Sequence, residues 1–311
     1  MHMRKKLVSI IIPCYNVEQY VGDCVNSVLS QTYDNIEIIC VDNNSTDNTL
    51  AILNSLQSRN PTKIQVTSQP IKGAPAARNK GLSLAKGEWI QFLDADDIIL
   101  ENKIASQINS AKPSSVEVIV SDYQRMNNSL TDTIAVKTLN EITKETVNYC
   151  ISNIIITGNP LYKKEIFEKY GGWDESLKSA QDWELNLRLA LNNVSFCYVE
   201  GIFLLSREVP DSISSNWKTV SIQASRVLLK HFDYLKSTFL TDKSKSKITN
   251  THYESLRFCK DESLKEDIIN SLKRTSYNYL KYLTFYKRVL IKALGLKHTI
   301  EIEKRIHPSV I

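Results

Sequence analysis

The sequence predicts an α/β protein: a mostly parallel sheet flanked by helices, followed by a helical C-terminal appendage. Three observations predict it. Short aliphatic runs such as "LVSIII" (7–12) and "IEIICV" (36–41) read as strands buried on both faces. Helical stretches alternate with these strands over the first hundred residues, the pattern of strands joined by crossover helices. From residue 218 the pattern turns helical and basic. The division expected is a body over 1–217 and an appendage over 218–311.

The elements follow in order. After the first strand, Val17, Tyr20, Val21, Cys24, Val25, Val28 and Leu29 share one helical face at three-and-four spacing. "STDNTLAILNSLQ" reads as a second helix with Ser45 as its N-cap. "KIQVTS" (63–68) is the third strand. "GAPAARNKGLSLAKG" is a helix entered through Gly73 and Pro75 and ended at Gly87. "EWIQFL" (88–93) is the fourth strand, and "VEVIVSDYQRM" (116–126) and "VSFCYVEGIFLLSR" (194–207) are later ones. "SAQDWELNLRLALNN" (179–193) is a helix with Leu185, Leu189 and Ala190 inward. In the appendage "FLTDKSKSKITN" (239–250) reads as a polar break, "YLTFYKRVLIKALGLKH" (282–298) as amphipathic with cations on one side, and Tyr279, Tyr282, Phe285 and Tyr286 are interleaved with cations.

Composition narrows the function. The hydrophobic share of 42% and charged share of 23% are those of an ordinary soluble globular chain. No apolar run approaches the ~18 residues of a membrane span, and the N-terminal run ends at Pro13 too early for a secretory signal. Six scattered cysteines without CxxC spacing argue against a zinc site or disulfide framework and for buried thiols in a reducing compartment, the cytoplasm. Residues 218–311 carry 19 Lys and Arg against 9 Asp and Glu, a surplus of +10, whereas residues 1–217 carry 20 against 25, a balance of −5. A mildly acidic body with a basic tail suggests different partners for the two regions. Interleaved aromatics and cations favour an anionic membrane surface over nucleic acid for the tail, beside the plainer readings of a solvated cap or a homo-oligomer contact.

The chemistry concentrates at strand ends. Asp42 and Asn43 follow the second strand, and Asp94, Asp96 and Asp97 follow the fourth, so both polar clusters fall on the carboxyl rim where open parallel sheets bind ligands. Asp94-Ala95-Asp96 offers hard oxygens to one divalent cation, Mn²⁺ or Mg²⁺, whose shell is completed by water and a ligand's phosphates. Such a cation would cancel the repulsion between the carboxylates. The bland reading of the same triplet is a solvated turn.

Six ordered blocks, "VSIIIPCYN" (8–16), "SVLSQTYDNIEIICVDNNSTDNT" (27–49), "GAPAARNKGL" (73–82), "GEWIQFLDADD" (87–97), "GGWDE" (171–175) and "QDWELNLRL" (181–189), resemble the family 2 glycosyltransferases, inverting nucleotide-sugar enzymes of the Rossmann-like GT-A fold of bacterial cell-surface polysaccharide assembly. The resemblance implies that Pro13 and Tyr15 line a base and ribose pocket with Asp42 and Asn43, that Arg78 lies near the nucleotide-sugar, and that Asp94, Ala95 and Asp96 hold metal and ribose-diphosphate. Asp96 is then the more direct metal ligand and Asp182 the catalytic base. Three positions depart from the pattern: Asn43 stands where a second Asp is common, its amide oxygen still able to accept from a uracil N–H; Gln181 stands for Glu; Val209 replaces a His in "SREVPDSIS" (206–214), where Arg207, Ser212 and Ser214 match. Trp173 and Trp183 are either sugar-stacking faces or core, and Arg207 belongs to the segment that closes over the donor. His231, His252, His298 and His307 lie in the appendage and read as surface residues. The implied activity is transfer of a hexosyl or N-acetylhexosaminyl group from a nucleotide-sugar donor, UDP-linked by preference, to a glycan or lipid-linked acceptor. The rival reading is a catalytically silent sugar-nucleotide-binding protein of the same fold.

Overall fold

The structure is a computed structural model and describes residues 5–110, 115–209, 216–275, 277–283, 287, 291, 295–296 and 298–300. It is a mixed α/β protein. The first half alternates β1 (Val8–Cys14), α1 (Val21–Leu29), β2 (Ile36–Asp42), α2 (Thr49–Arg59), β3 (Ile64–Ser68), α3 (Ala74–Leu84) and β4 (Trp89–Phe92). β1 pairs in parallel with β2 and β4, and β2 with β3, so these four strands end on one rim. Beyond them come β5 (Ile98–Ile99), α4 (Lys103–Ser110), β6 (Val118–Met126), β7 (Thr133–Lys137), α5 (Thr146–Ser152), β8 (Leu161–Lys163), α6 (Glu165–Tyr170), α7 (Gln181–Leu191) and β9 (Phe196–Arg207). The sheet order is β3-β2-β1-β4-β8-β6-β9-β5, with β7 on β6. β8 runs antiparallel to both β4 and β6, and β9 returns parallel to β6.

Ile10, Ile11, Ile12, Ile38, Ile39 and Phe92 are completely buried, as the continuous aliphatic runs require of strands covered on both faces. Helix α3 lies close over this layer because Gly81 has no side chain. A Cβ there would come within 2.3 Å of Ile11 Cγ2 and 3.3 Å of Val41 Cγ2. That close approach fixes where α3 presents Arg78. Five of the six cysteines are buried; Cys197 is partly exposed.

Several boundaries differ from the sequence reading. α1 starts at Val21, after a turn in which Tyr20 N–H donates to Val17 O. Ser45 does not cap α2. The cap is Asn48, and Ser45 Oγ instead accepts from the Asn16 N–H at 3.2 Å. α3 stops at Leu84, where Ala85 turns extended, short of Gly87.

The chain divides into two compact units. The second takes Val147–Asn153, Leu177–Ala180 and the chain from Ile213 onward; the first takes the rest, including the sheet. Within the second unit lie α8 (Trp217–Lys230), α9 (Phe232–Ser237), α10 (Asp242–Phe258) and α11 (Glu262–Arg274), then a short 3-10 turn at Tyr279–Tyr282. Its core gathers Tyr253, Leu256, Leu264, Ile268 and Leu272. The stretch read as a polar break is the start of α10. Thr241 caps it by accepting from Ser244 N–H, and the small polar residues Ser244 and Thr249 are buried beside Ile248, a buried face that an apolar count misses. Two of the appendage histidines are also not on the surface. His231 is 7% exposed and His252 1%, the latter's Nδ1 3.1 Å from Ser225 Oγ, and burial lowers the His252 pKa to about 3. His298 is exposed, and His307 lies outside the described residues, as do Phe285 and Tyr286 of the amphipathic stretch.

Candidate active site

The rim is built where β1, β2 and β4 end. The aligned rung Cys14–Asp42–Ser68 closes the parallel ladder, and the next residue of each chain segment, Tyr15, Asn43 and Gln69, leaves it. Pro13 is partly buried in β1, and Tyr15 is 52% exposed. Asn16 and Asn44 both adopt positive φ, +49° and +65°, a conformation that asparagine tolerates better than most residues. Asp42 is buried, and its Oδ1 has no hydrogen-bond partner among the described residues. Asn43 is buried too, but its side chain is engaged within the protein, the amide oxygen accepting from Gly73 N–H at 2.7 Å. The sequence reading had left that oxygen for a base.

The acidic stretch after β4 is a turn closed by Asp97 N–H donating to Asp94 O at 3.0 Å. Its three carboxylates have different fates. Asp94 is paired with Arg78, Oδ1 to Nη2 2.7 Å. Asp97 is buried and accepts from the Arg207 N–H at 2.8 Å. Asp96 forms no ion pair with another described residue. Burial, and then the Asp94 charge, raise its carboxyl to about 6, while burial raises Asp97 as well. Ala95, 4% exposed, keeps the turn tight between its two acids.

Arg78 joins this turn to the start of α7. Its guanidinium is 4.4 Å from the Trp173 ring centroid, and Nη1 donates to Gln181 Oε1 at 2.9 Å. Arg78 is only 5% exposed, and its Nε is buried without a hydrogen-bond partner among the described residues. Gln181 at this position therefore accepts from the arginine as a neutral group. The neighbouring Asp182 sits in the first turn of α7, where the helix N-terminus favours an anion, and Oδ1 accepts from Trp183 N–H at 2.9 Å. Burial nevertheless raises its carboxyl to about 6, with Arg78 opposing that rise and Asp94 adding to it.

Arg207, at the end of β9, ties down the acidic turn from the other side. Beyond its N–H to Asp97, its Nε donates to Asp96 O at 2.9 Å and Nη1 to Asn128 O, while the guanidinium lies 4.9 Å from the Tyr20 ring centroid. Its contacts are those of a brace on the turn. Ser212 and Ser214, matched in the same segment, lie outside the described residues. Trp173 and Trp183 are each 4% exposed. Trp173 packs its ring against Phe92 (5.1 Å, edge-on) and lies beneath the Arg78 guanidinium.

The first unit thus carries Asp42, Asn43, Arg78, Asp94, Asp96, Asp182 and Arg207, and adds residues to which the sequence reading gave no individual role. Asp97 anchors Arg207, Tyr20 underlies its guanidinium, Asn44 flanks Asn43, and Tyr123 is close enough to Asp182 to feel its charge. Only Asp97, inside the acidic triplet, carried a sequence signal. Among the described residues no cluster of three or more His, Cys, Asp or Glu is arranged to hold a metal alone. The donor set fits Mg²⁺ or Mn²⁺ differently. Among the described residues Asp96 forms no ion pair, the Asp94 charge acts on it, and both cations are commonly held by one or two carboxylates with phosphate completing the shell.

A family model described as glycosyl transferase family 2 matches residues 9–171. GlyG, a glycosyltransferase of Streptococcus pneumoniae serotype 4, is 38% identical over 125 residues, 40% of this chain and 41% of that protein. WfgD of Escherichia coli, named a UDP-Glc:alpha-D-GlcNAc-diphosphoundecaprenol beta-1,3-glucosyltransferase, is 40% identical over 124 residues, 40% of this chain and 48% of its own length. The chain thus spans less than half the length of these curated relatives. Among solved structures, S. aureus TarS 1–349 in complex with UDP-GlcNAc superposes with a TM-score of 0.68 at 17% identity, covering 97% of this chain and 92% of that one. The mannosyltransferase PcManGT of Pyrobaculum calidifontis, in complex with GDP-Man and Mn²⁺, gives 0.60 at 14% identity, covering 98% and 87%. These two show the shared GT-A fold. With its parallel half-sheet, its acidic turn after β4 and a family match over more than half its length, the chain belongs to glycosyl transferase family 2.

Proposed function

We propose that this protein is an inverting glycosyltransferase that moves a sugar from a nucleotide-sugar, UDP-linked by preference, to a hydroxyl of a glycan or lipid-linked acceptor. The observation that carries the reading is the Arg78 bridge. One guanidinium links Asp94 of the acidic turn to Gln181, whose neighbour Asp182 has a carboxyl poised near neutrality. A divalent cation, Mg²⁺ or Mn²⁺, held by Asp96 and Asp94 would supply Lewis-acid stabilisation of the charge that grows on a departing diphosphate. Arg78 keeps Asp94 oriented and adds positive charge on the same side. Asp182 accepts the proton of the acceptor hydroxyl at its carboxylate, a role whose efficiency is greatest when the group titrates near working pH. One base facing a leaving group held on the other side of the sugar corresponds to single displacement with inversion.

Asp182→Asn tests the assignment. The variant should bind UDP, with or without Mn²⁺, as the wild type does, while losing about 10²–10⁴-fold in transfer rate. Retained transfer would remove Asp182 as base. Nucleotide binding without turnover in either protein would leave the silent-binder reading in its place.

The lipid-linked acceptor in the relatives' names, together with the +10 charge of 218–311, supports a peripheral position on an anionic cytoplasmic membrane surface. No described helix is long and apolar enough to cross one. Co-sedimentation with phosphatidylserine-containing liposomes that persisted unchanged in about 0.5 M salt, roughly three times physiological ionic strength, would contradict the electrostatic part of that reading.

A further inference from the structure

The segment 69–73, between β3 and α3, is held by two asparagine side chains. Asn43 Nδ2 donates to the carbonyls of Gln69 (2.8 Å) and Ile71 (2.7 Å), and its Oδ1 accepts from Gly73 N–H (2.7 Å). Asn44 Nδ2 donates to the carbonyls of Gln69 (3.1 Å) and Pro70 (3.0 Å). Gln69 reinforces the loop from within. Its N–H donates to Asp42 O at 2.8 Å, its Oε1 accepts from Ile71 N–H at 3.1 Å, and its Nε2 donates to Ala76 O at 3.3 Å.

The chemistry of this clamp depends on amides. An ionised carboxylate accepts but cannot donate, so aspartate at 43 and 44 could keep the bond from Gly73 and would lose all four donations to carbonyls. At position 43, which is 5% exposed, it would also set a negative oxygen against two carbonyl oxygens. The second residue of the "DNNS" stretch is therefore occupied in holding backbone.

What the clamp presents is specific. β1 and β3 flank β2, and Tyr15 and Ile71 follow their ends; these side chains are 52% and 61% exposed. Between them, at the end of β2, is Asp42 with its buried Oδ1, which has no partner among the described residues. Two apolar side chains either side of an unmatched acceptor suit a flat ring with an N–H on its edge. Resting on the nucleotide-sugar reading above, we infer that Asn43 and Asn44 are positioning residues: they lock segment 69–73 so that Ile71 forms the wall opposite Tyr15, and leave base reading to Asp42. The same lock fixes Gly73 at φ +132°, the residue from which α3 sets out toward Arg78.

Hydrogen exchange of the nucleotide-free full chain, with UDP titration alongside, tests the inference. In Asn43→Asp, amides of 69–73 should exchange about tenfold faster or more, and UDP should bind about tenfold more weakly, as loss of two hydrogen bonds predicts. Ile71→Ser should weaken UDP binding by about threefold to tenfold, the scale of a lost apolar contact, with exchange of 69–73 unchanged. The Ile71 variant keeps the test available if Asn43→Asp unfolds. Unchanged exchange in Asn43→Asp, or UDP binding as tight as or tighter than wild type, overturns the inference, because a carboxylate touching the base directly would be the better acceptor. Undiminished UDP binding in Ile71→Ser overturns the wall. Should the wild type bind none of UDP, GDP and dTDP, the nucleotide-sugar reading itself fails, and the clamp then stands or falls on exchange alone.

Discussion

Asp182 combines two opposed influences at one carboxyl. The start of α7 and Arg78 favour its charge, and burial disfavours it more, leaving it at about 6 against an ordinary 3.8. A carboxyl that holds its proton more tightly folded than unfolded adds stability below about pH 4, and that stability is lost as pH rises through 6. Asp182→Asn carries no such penalty. The variant should therefore be more stable than wild type at pH 8, by up to about 3 kcal/mol, with the gap closing at pH 4. Urea midpoints at the two pH values check this; a variant less stable than wild type at pH 8 would contradict it. For the proposed reaction the same carboxyl should make the rate fall about tenfold per pH unit below about 6. The residue types at this rim were legible in the sequence because Asp, Arg and Asn fall at strand ends. What each does was less so. Asn43's commitment to Gly73 and the Gln69 and Ile71 carbonyls, and Arg207's grip on Asp96 and Asp97, depend on contacts over tens of residues of separation that no local pattern encodes.

At the scale of elements, the strands were the most legible part, since β1, β2 and β4 are continuous apolar runs with both faces covered. The helices were read less well at their ends. α2 is entered through Asp47 and Glu18, whose carboxylates accept from the N–H groups of Thr49 and Asn48, and not through Ser45. α10 begins in a stretch without aliphatic periodicity because it buries Ser244 and Thr249. Helix α3 carries the clearest mechanical demand, since its seat on β1 leaves no room at Gly81. Gly81→Ala should force α3 away from Ile11 and cost about 1–3 kcal/mol, the usual scale of overpacking. It should also weaken nucleotide binding through Arg78, although position 81 lies outside the site. A denaturation midpoint equal to wild type would show that the layer yields more easily than its packing implies.

At the scale of the molecule, the charge asymmetry and the alternation of strands and helices marked out two regions before any coordinates. The contact-defined units do not follow the chain so simply, because α5 belongs largely with the second. A short helix with few apolar repeats gives no sequence sign of which core it joins. Within the first unit, strands distant in sequence bring β4's acidic turn, α3's arginine and α7's aspartate to one rim, and the proposed chemistry needs all three. The most direct measurement is calorimetric titration of UDP into wild type and Asp96→Ala, with Mn²⁺ and with chelator. Wild type should bind UDP about tenfold or more tightly with Mn²⁺, and Asp96→Ala should lose that gain, the scale expected when a cation's carboxylate ligand is removed from a diphosphate site. Equal affinities in all four conditions, with undiminished transfer in chelator, would contradict a metal-holding acidic turn.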